Sequence, residues 1–309
     1  MMQKLFTAIL LLALSSLASA QSYSPLYSQY MENGLAINPA YAGSRESFSN
    51  TLLYRNQWMG FDGAPKTQTL SSHAPLLNDK VALGLLVMHE EIGVTDNYEL
   101  YTNYAFRFRL GEGKLALGLR AGTSWKQSNW NEINTSSDLE DDAFSQANAE
   151  RVFMPNAGVG IFFYNSFMFT GVSVPAMLSY KEKDGGGAYE MYHDLNNYDI
   201  FGTLGFFIRT SRQLQLNPSA MVRYRSGANL QVDANLNFII MNALWIGASY
   251  RMDNEFGALV AYQINEQLRL GYAYDYMSGE MQQFNNGSHE ILLRYEFKYK
   301  VRAESPRFF

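Results

Sequence analysis

Apolar and polar residues alternate with a period of two along most of this chain. In residues 115–122, Leu115, Leu117, Leu119 and Ala121 share one face, and Ala116, Gly118, Arg120 and Gly122 share the other. Leu268, Leu270, Tyr272, Tyr274 and Tyr276 stand opposite Arg269, Gly271, Ala273 and Asp275. Ile291, Leu293, Tyr295, Phe297 and Tyr299 stand opposite Glu290, Leu292, Arg294, Glu296 and Lys298. Strict alternation marks a strand lying between two unlike environments. Such segments begin near Phe48, Lys66, Val81, Tyr98, Lys114, Asn156, Phe167, Ile200, Leu214, Leu230, Leu244, Phe256, Leu268 and His289. Most run the ~9–11 residues that a tilted membrane strand needs. The first two alternate least clearly.

The connections alternate as well. Tight turns are expected at residues 110–113, 164–166, 210–212, 241–243 and 265–266. Longer links are expected at 89–97, 126–151, 175–199 and 278–287. Short turns on one side and long loops on the other are the pattern of an outer-membrane barrel, whose short turns are periplasmic. An even number of strands returns both termini to the periplasmic side.

The faces separate a membrane barrel from a soluble sandwich. The polar face carries glycines, alanines and isolated arginines: Arg107, Arg109, Arg120, Arg209, Arg223, Arg225, Arg251, Arg269 and Arg294. Glu99, Asp233, Asp275, Glu290 and Glu296 accompany them. The apolar face ends in aromatics at Tyr98, Phe108, Tyr164, Tyr224, Tyr250, Tyr262, Tyr276 and Tyr299. Aromatic girdles of this kind sit at both bilayer interfaces. An open sheet cannot survive in lipid, so the sheet must close. The expected fold is therefore all-β: a transmembrane antiparallel β-barrel of about fourteen strands over residues 47–300. Leu117, Leu270 and Leu293 should meet outer-membrane lipid, and Leu117→Arg should be tolerated less well than Gly118→Ser.

Residues 1–20 read as a secretory signal peptide. Lys4 supplies the positive start, 5–14 is an apolar run too short to span a bilayer, and Ala18-Ser19-Ala20 is a small-residue cleavage site. Cysteine is absent, which excludes disulfides, thiolate nucleophiles and zinc–thiolate sites. Lysine and arginine number 24 against 29 aspartates and glutamates, with no basic patch interleaved with aromatics, so nucleic acid is not an expected partner. The count of 21 tyrosines and 20 phenylalanines suits a chain with aromatic girdles.

Residues 21–46 precede the first strand and need a role. Asn33-Gly34, Asn38-Pro39 and Ala42-Gly43 are turn dipeptides. Tyr23, Tyr27, Tyr30, Met31, Ile37 and Tyr41 make a plain disordered leader a poor description, because disorder goes with few aromatics. The segment is expected to lie on the periplasmic side. Within and after it run four blocks: SQYM (28–31), NPAYAG (38–43), RNQWMGF (55–61) and GAPKTQ (63–68). In this order and spacing they closely resemble the PorP/SprF family, outer-membrane proteins of the Bacteroidota type IX secretion and gliding machinery. The final SPRFF (305–309) is similar to the family's terminal signature, on a periplasmic tail at 301–309.

The resemblance implies a non-enzymatic barrel that supports export or surface anchoring of large secreted proteins, gliding adhesins among them. The partners it implies are type IX secretion components, a periplasmic peptidoglycan-binding lipoprotein and the C-terminal domain of a secreted protein or adhesin. It marks as family-motif or partner-binding positions Ser28, Gln29, Tyr30, Met31, Asn38, Pro39, Ala40, Tyr41, Gly43, Arg55, Gln57, Trp58, Gly60, Gly63, Pro65, Pro306, Arg307, Phe308 and Phe309. The competing reading is a porin-like or hydrophobic-solute channel, for which neither the leader nor the tail has a use.

Candidate chemistry is sparse, and no cofactor or metal is expected. His73, His89, His193 and His289 show no metal-ligand or catalytic spacing. Asp138, Glu140, Asp141 and Asp142 form an acidic loop, better read as solvated than as a calcium site because the EF-hand order is missing. Gly111-Glu112-Gly113-Lys114 lacks the spacing of a phosphate loop and is a hairpin turn. The luminal set Arg107, Arg120, Arg209, Arg223, Arg251, Arg269, Asp275 and Arg294 either pairs internally to stiffen the barrel or lines a docking or selectivity surface. A barrel of this strand number is wide enough to leak. Its lumen is expected to be closed by the 27–41 leader, by inward-folded loops, or by a protein partner docking against luminal arginines and the loop aromatics Trp125 and Trp130.

Overall fold

The computed structural model describes residues 27–76, 79–128, 152–182, 189–252, 254–279, 282–283 and 285–297. The signal peptide, the acidic loop, Trp130, Tyr299 and the 301–309 tail with Pro306, Arg307, Phe308 and Phe309 lie outside the described residues.

Among the described residues, seventeen strands follow in chain order. The first half of the wall is β1 (Phe48–Asn56), β2 (Lys66–Leu76), β3 (Val81–Ile92), β4 (Thr95–Leu110), β5 (Gly113–Ser128), β6 (Val152–Tyr164) and β7 (Met168–Val174). A side hairpin, β8 (Ser179–Glu182) and β9 (Tyr189–Tyr192), pairs only with itself. The second half is β10 (Ile200–Phe206), its short continuation β11 (Ile208–Arg209), β12 (Leu214–Tyr224), β13 (Gln231–Ile240), β14 (Leu244–Arg251), β15 (Glu255–Gln263), β16 (Leu268–Met277) and β17 (Ser288–Phe297).

Every neighbouring pair is antiparallel, and the sheet closes on itself as a 14-strand barrel. Closure runs through β1 against β17, with Phe48 opposite Phe297 and Asn56 opposite His289. On the far side β10 pairs with both β7 and β12. Closure leaves no unpaired edge, which is the condition for a sheet in hydrocarbon. No helix among the described residues is long and apolar enough to cross a membrane; strands do the crossing.

The outward face is apolar as the alternation requires. Leu117, Leu270 and Leu293 are 44, 46 and 38% exposed on it. Aromatics gather at both rims. Phe48 stacks on Phe297 at the short-turn end (5.7 Å), while His89, Tyr98 and Trp125 stack in series at the loop end (4.4 and 5.4 Å).

Two expectations need correction. The link at 89–97 is not a long loop: β3 and β4 run on to Ile92 and Thr95 and turn through Gly93 and Val94. The charged residues there are extended ladder, held by the His89–Asp96 (2.7 Å) and Lys66–Glu91 (3.0 Å) pairs and by the aromatic stack. Tyr164 is not a girdle residue. It turns inward, where its hydroxyl accepts from Arg107 (3.3 Å) and its ring packs on Phe162 (5.7 Å).

Lipid contact at Leu117 has a measurable consequence. Leu117→Arg should lower unfolding free energy by ~2–4 kcal/mol, against ~0–1 kcal/mol for the same change at Leu110 beside a tight turn. Urea unfolding in lipid vesicles measures both, and equal losses would mean that the outward face is misassigned.

Candidate functional site

Residues 27–47 do not lie outside the barrel on the periplasmic side. They run through its interior, with Tyr27, Ser28, Gln29, Tyr30, Asn33, Leu35, Ile37, Asn38, Ala40 and Ala42 all buried. The turn dipeptides explain the shape. A single helical turn, Gly34–Ile37, ends where Asn38 precedes Pro39. The Asn38 side chain accepts from the Ala40 amide (2.9 Å) and caps a second short turn, Pro39–Tyr41. Gly43 then takes a φ of +71°, which a side chain would resist, and the chain descends into β1.

A path this irregular cannot satisfy its own backbone, and buried backbone groups need partners. The barrel wall supplies them. Arg120 donates to the carbonyls of Leu35 and Ala36. Ser173 donates to the Ile37 carbonyl (2.7 Å), Arg107 to that of Gly43 and Arg294 to that of Glu32. In the opposite sense, Glu290 accepts from the backbone N–H groups of Ser28 (3.0 Å) and Gln29 (2.9 Å). His73 Nδ1 accepts from Gly43 N–H (3.0 Å). The luminal arginines therefore act as helix-cap donors would, but from the wall.

Charge clusters hold the two ends of this plug. Toward the loop end, Arg55 is 1% exposed and its Nη1 donates to Ser28 Oγ (2.7 Å), Asp275 (2.6 Å) and Glu290 (3.2 Å). Glu255 joins Arg55 (3.4 Å) to Arg251 (2.9 Å), and Arg251 pairs in turn with Asp233 (2.6 Å). Toward the short turns, Glu32 bridges Arg294 and Arg269, Arg45 pairs with Glu296, and Lys114 with Glu46.

The fit is steric as well as polar. A Cβ on Gly118 would sit 2.1 Å from the Ala40 nitrogen, one on Gly160 2.1 Å from Asn38 Oδ1, and one on Gly271 2.4 Å from Gln29 Oε1. These wall glycines are where the plug touches backbone. Gly118 is thus a costly site for any side chain, serine included, which narrows the difference expected between Gly118→Ser and Leu117→Arg. Apolar wall residues complete the contact. Leu53, Met88, Phe201, Met221 and Leu292 pack with Tyr27, Tyr30 and Ile37; Ala82 and Ala105 pack with Leu35 and Ala42.

The marked positions separate by location. Ser28, Gln29, Tyr30, Met31, Asn38, Pro39, Ala40, Tyr41 and Gly43 belong to the plug, and Arg55 is its anchor. Gln57, Trp58, Gly60, Gly63 and Pro65 form the β1–β2 loop at the opposite rim. That loop is pinned by backbone bonds from Met59 to Gly287 (2.7 Å), Asn286 to Met59 (2.7 Å) and Gly93 to Gly63 (2.9 Å), and it exposes Met59 and Phe61. Arg223 pairs with Asp199 (2.9 Å) near the same rim. Arg209 stands exposed beside the β10–β12 turn, apart from the plug. Trp125 faces outward between Tyr98 and Phe153 rather than into the lumen. Glu32, Asn33, Ser173 and the anchoring role of Glu290 escaped the sequence reading. Leu292 and Leu53, apolar residues on the polar face, were the available signal that something apolar lies inside.

The chain has recognisable relatives. The family described as type IX secretion system membrane protein PorP/SprF matches residues 19–295. No curated protein matches the chain. Among solved structures, the Ralstonia pickettii toluene transporter TbuX superposes with a TM-score of 0.53 at 9% identity, covering 86% of this chain and 93% of TbuX. The Acinetobacter baumannii outer membrane protein Omp33 gives 0.47 at 8%, covering 82% and 98%. At such identities the likeness concerns fold alone.

Removing one partner of a buried ion pair leaves uncompensated charge and costs ~3–5 kcal/mol. Arg55→Met should lose about that much stability, and adding Glu290→Gln should recover part of it, as read by thermal unfolding in detergent. A double variant no better than the single would argue against the pairing. At the steric contact, Gly118→Val should leave the barrel folded but speed hydrogen exchange across residues 34–42. Unchanged protection there would mean that the plug does not rest on β5.

Proposed function

The chain belongs to the type IX secretion system membrane protein PorP/SprF family and sits in the outer membrane, and on that premise we propose that it works as a plugged, non-conducting barrel. Its role is binding. It supports export or surface anchoring of large secreted proteins, adhesins among them, and links them to periplasmic components that include a peptidoglycan-binding lipoprotein. The short turns and both chain ends face the periplasm, and the long loops face outward.

One observation carries this reading: residues 27–47 run through the lumen and are tied to the wall by charged groups at both ends. The porin-like or solute-channel reading requires a path through that space. With the luminal arginines engaged by the plug and by neighbouring acids, docking falls to the rims. At the outer rim the candidate surface is the pinned β1–β2 loop with exposed Met59 and Phe61. A secreted protein's C-terminal domain would meet that ledge rather than the arginines.

The test is electrical. In planar bilayers the intact protein should show no steady conductance, and deletion of residues 27–42 should open a large one. Cells carrying the deletion should also lose surface display of the type IX cargo. A large steady conductance in the intact protein, unaffected by cargo, would favour the channel.

A further inference from the structure

The plug does not fill the whole lumen. A cavity of about 440 Å³ remains between it and the β6–β14 side of the wall. Asn165 and Asn242, from two of the tight turns, lie in its lining, so it opens at the short-turn end. One wall is the plug, through Tyr30, Met31 and Tyr41. The other is aromatic: Phe162, Phe169, Phe207 and Trp245, the last covered by the Arg269 guanidinium 3.7 Å from its ring centre. The lining charges are already paired, Glu32 with Arg269 and Glu296 with Arg45. What such a space recognises is aromatic side chains, by ring packing and burial, rather than an ion.

Glu296 lines this cavity, and the described chain ends one residue later, at Phe297 on the same rim. Residues 298–309, KYKVRAESPRFF, follow. Fully extended, that length reaches roughly 40 Å, ample to turn back from the strand end into the opening. It finishes in Phe308-Phe309, and Pro306 favours an extended approach. Cavities of about 300–1,000 Å³ take drug-sized groups, so this one has room for a pair of phenyl rings.

We propose that this aromatic vestibule is a docking site for the 298–309 segment, with Phe308 and Phe309 as the groups it takes. The inference stands apart from any cargo or secretion role. It makes the tail an intramolecular ligand of the same lumen that the leader runs through.

The absence of cysteine makes the test direct. In the full-length protein in detergent, Arg307→Cys paired with Gln215→Cys in the cavity lining should form a disulfide within one chain under mild oxidation. Arg307→Cys paired with Gly279→Cys at the opposite rim should not. A disulfide only between chains would point to a second copy as the occupant. A pair that stays reduced would leave the cavity to a periplasmic partner. Either result overturns the proposal. Maleimide labelling of Gln215→Cys gives an independent reading. Removing residues 301–309 should speed it roughly tenfold, the ratio given by a docking equilibrium of about 1.4 kcal/mol. A synthetic AESPRFF peptide should slow it again, and the same peptide with both phenylalanines changed to alanine should not. Equal rates with and without the tail would also overturn the proposal.

Discussion

An irregular peptide inside a barrel must find a partner for every backbone group it buries, and in this molecule the wall is built to provide them. Arg120, Arg107 and Arg294 reach the plug's carbonyls, and Glu290 takes two of its amides. An unmade bond of this kind costs ~1–3 kcal/mol, more where charge is involved. The choice of wall residue follows from geometry. A guanidinium carries several donors on a long stem and can span the gap between a strand and an inner turn. Serine does the same work where the gap is short, as Ser173 does for Ile37. Where the gap closes altogether the wall offers glycine, as at positions 118 and 160.

The same constraint explains why the inner face looks as it does. An empty aqueous channel would be lined by charged and polar groups facing water. Here the inner face carries Leu53, Met88, Met221 and Leu292 beside buried arginines and carboxylates. Leu53, Met88, Met221 and Leu292 cluster with the plug's Tyr27, Tyr30 and Ile37, and Arg107, Arg120, Arg294 and Glu290 meet backbone groups of the plug. The cluster around Arg55 shows the demand most sharply. Four carboxylates, Asp233, Glu255, Asp275 and Glu290, share two guanidiniums, Arg55 and Arg251, and the excess acid is met by Ser28 and by amides of the plug. Without the plug that cluster would lose the donors that now satisfy it.

How much of this could be read in the sequence depends on the period of the signal. Alternation depends only on which face meets lipid, and lipid treats every strand alike. The fourteen wall strands, their order and the outward leucines were therefore legible. The two strands with the least clear alternation, β1 and β2, meet the plug through polar side chains, as Thr69 does Tyr27 and Ser71 does Asn33. Their inner faces carry Ser49, Thr51, Thr67, Thr69 and Ser71, small hydroxyl residues chosen by contact rather than by solvent. Tyr164 was misplaced because β6 is aromatic on both faces, and only tertiary packing decides which ring turns in. The continuation of β3 and β4 past the bilayer was hidden by charged residues that pair across the ladder. The leader's turns were legible, and its place in the lumen was one of three closures expected; nothing local chose among them, since a turn packed inside a barrel looks like one packed beneath it.

A plug held this way constrains how the protein can work. Its charged hydrogen bonds are each worth ~1.5–3 kcal/mol net, and they are distributed over both ends of the segment. Withdrawing it means breaking them together, because a half-released plug leaves buried charges on the wall without partners. Around Arg55, water could replace those partners only by passing the apolar contacts of Tyr27, Tyr30 and Ile37 with the wall. The closed state is thus cooperative, stable unless something supplies equivalent donors and acceptors in exchange. A small solute offers too few.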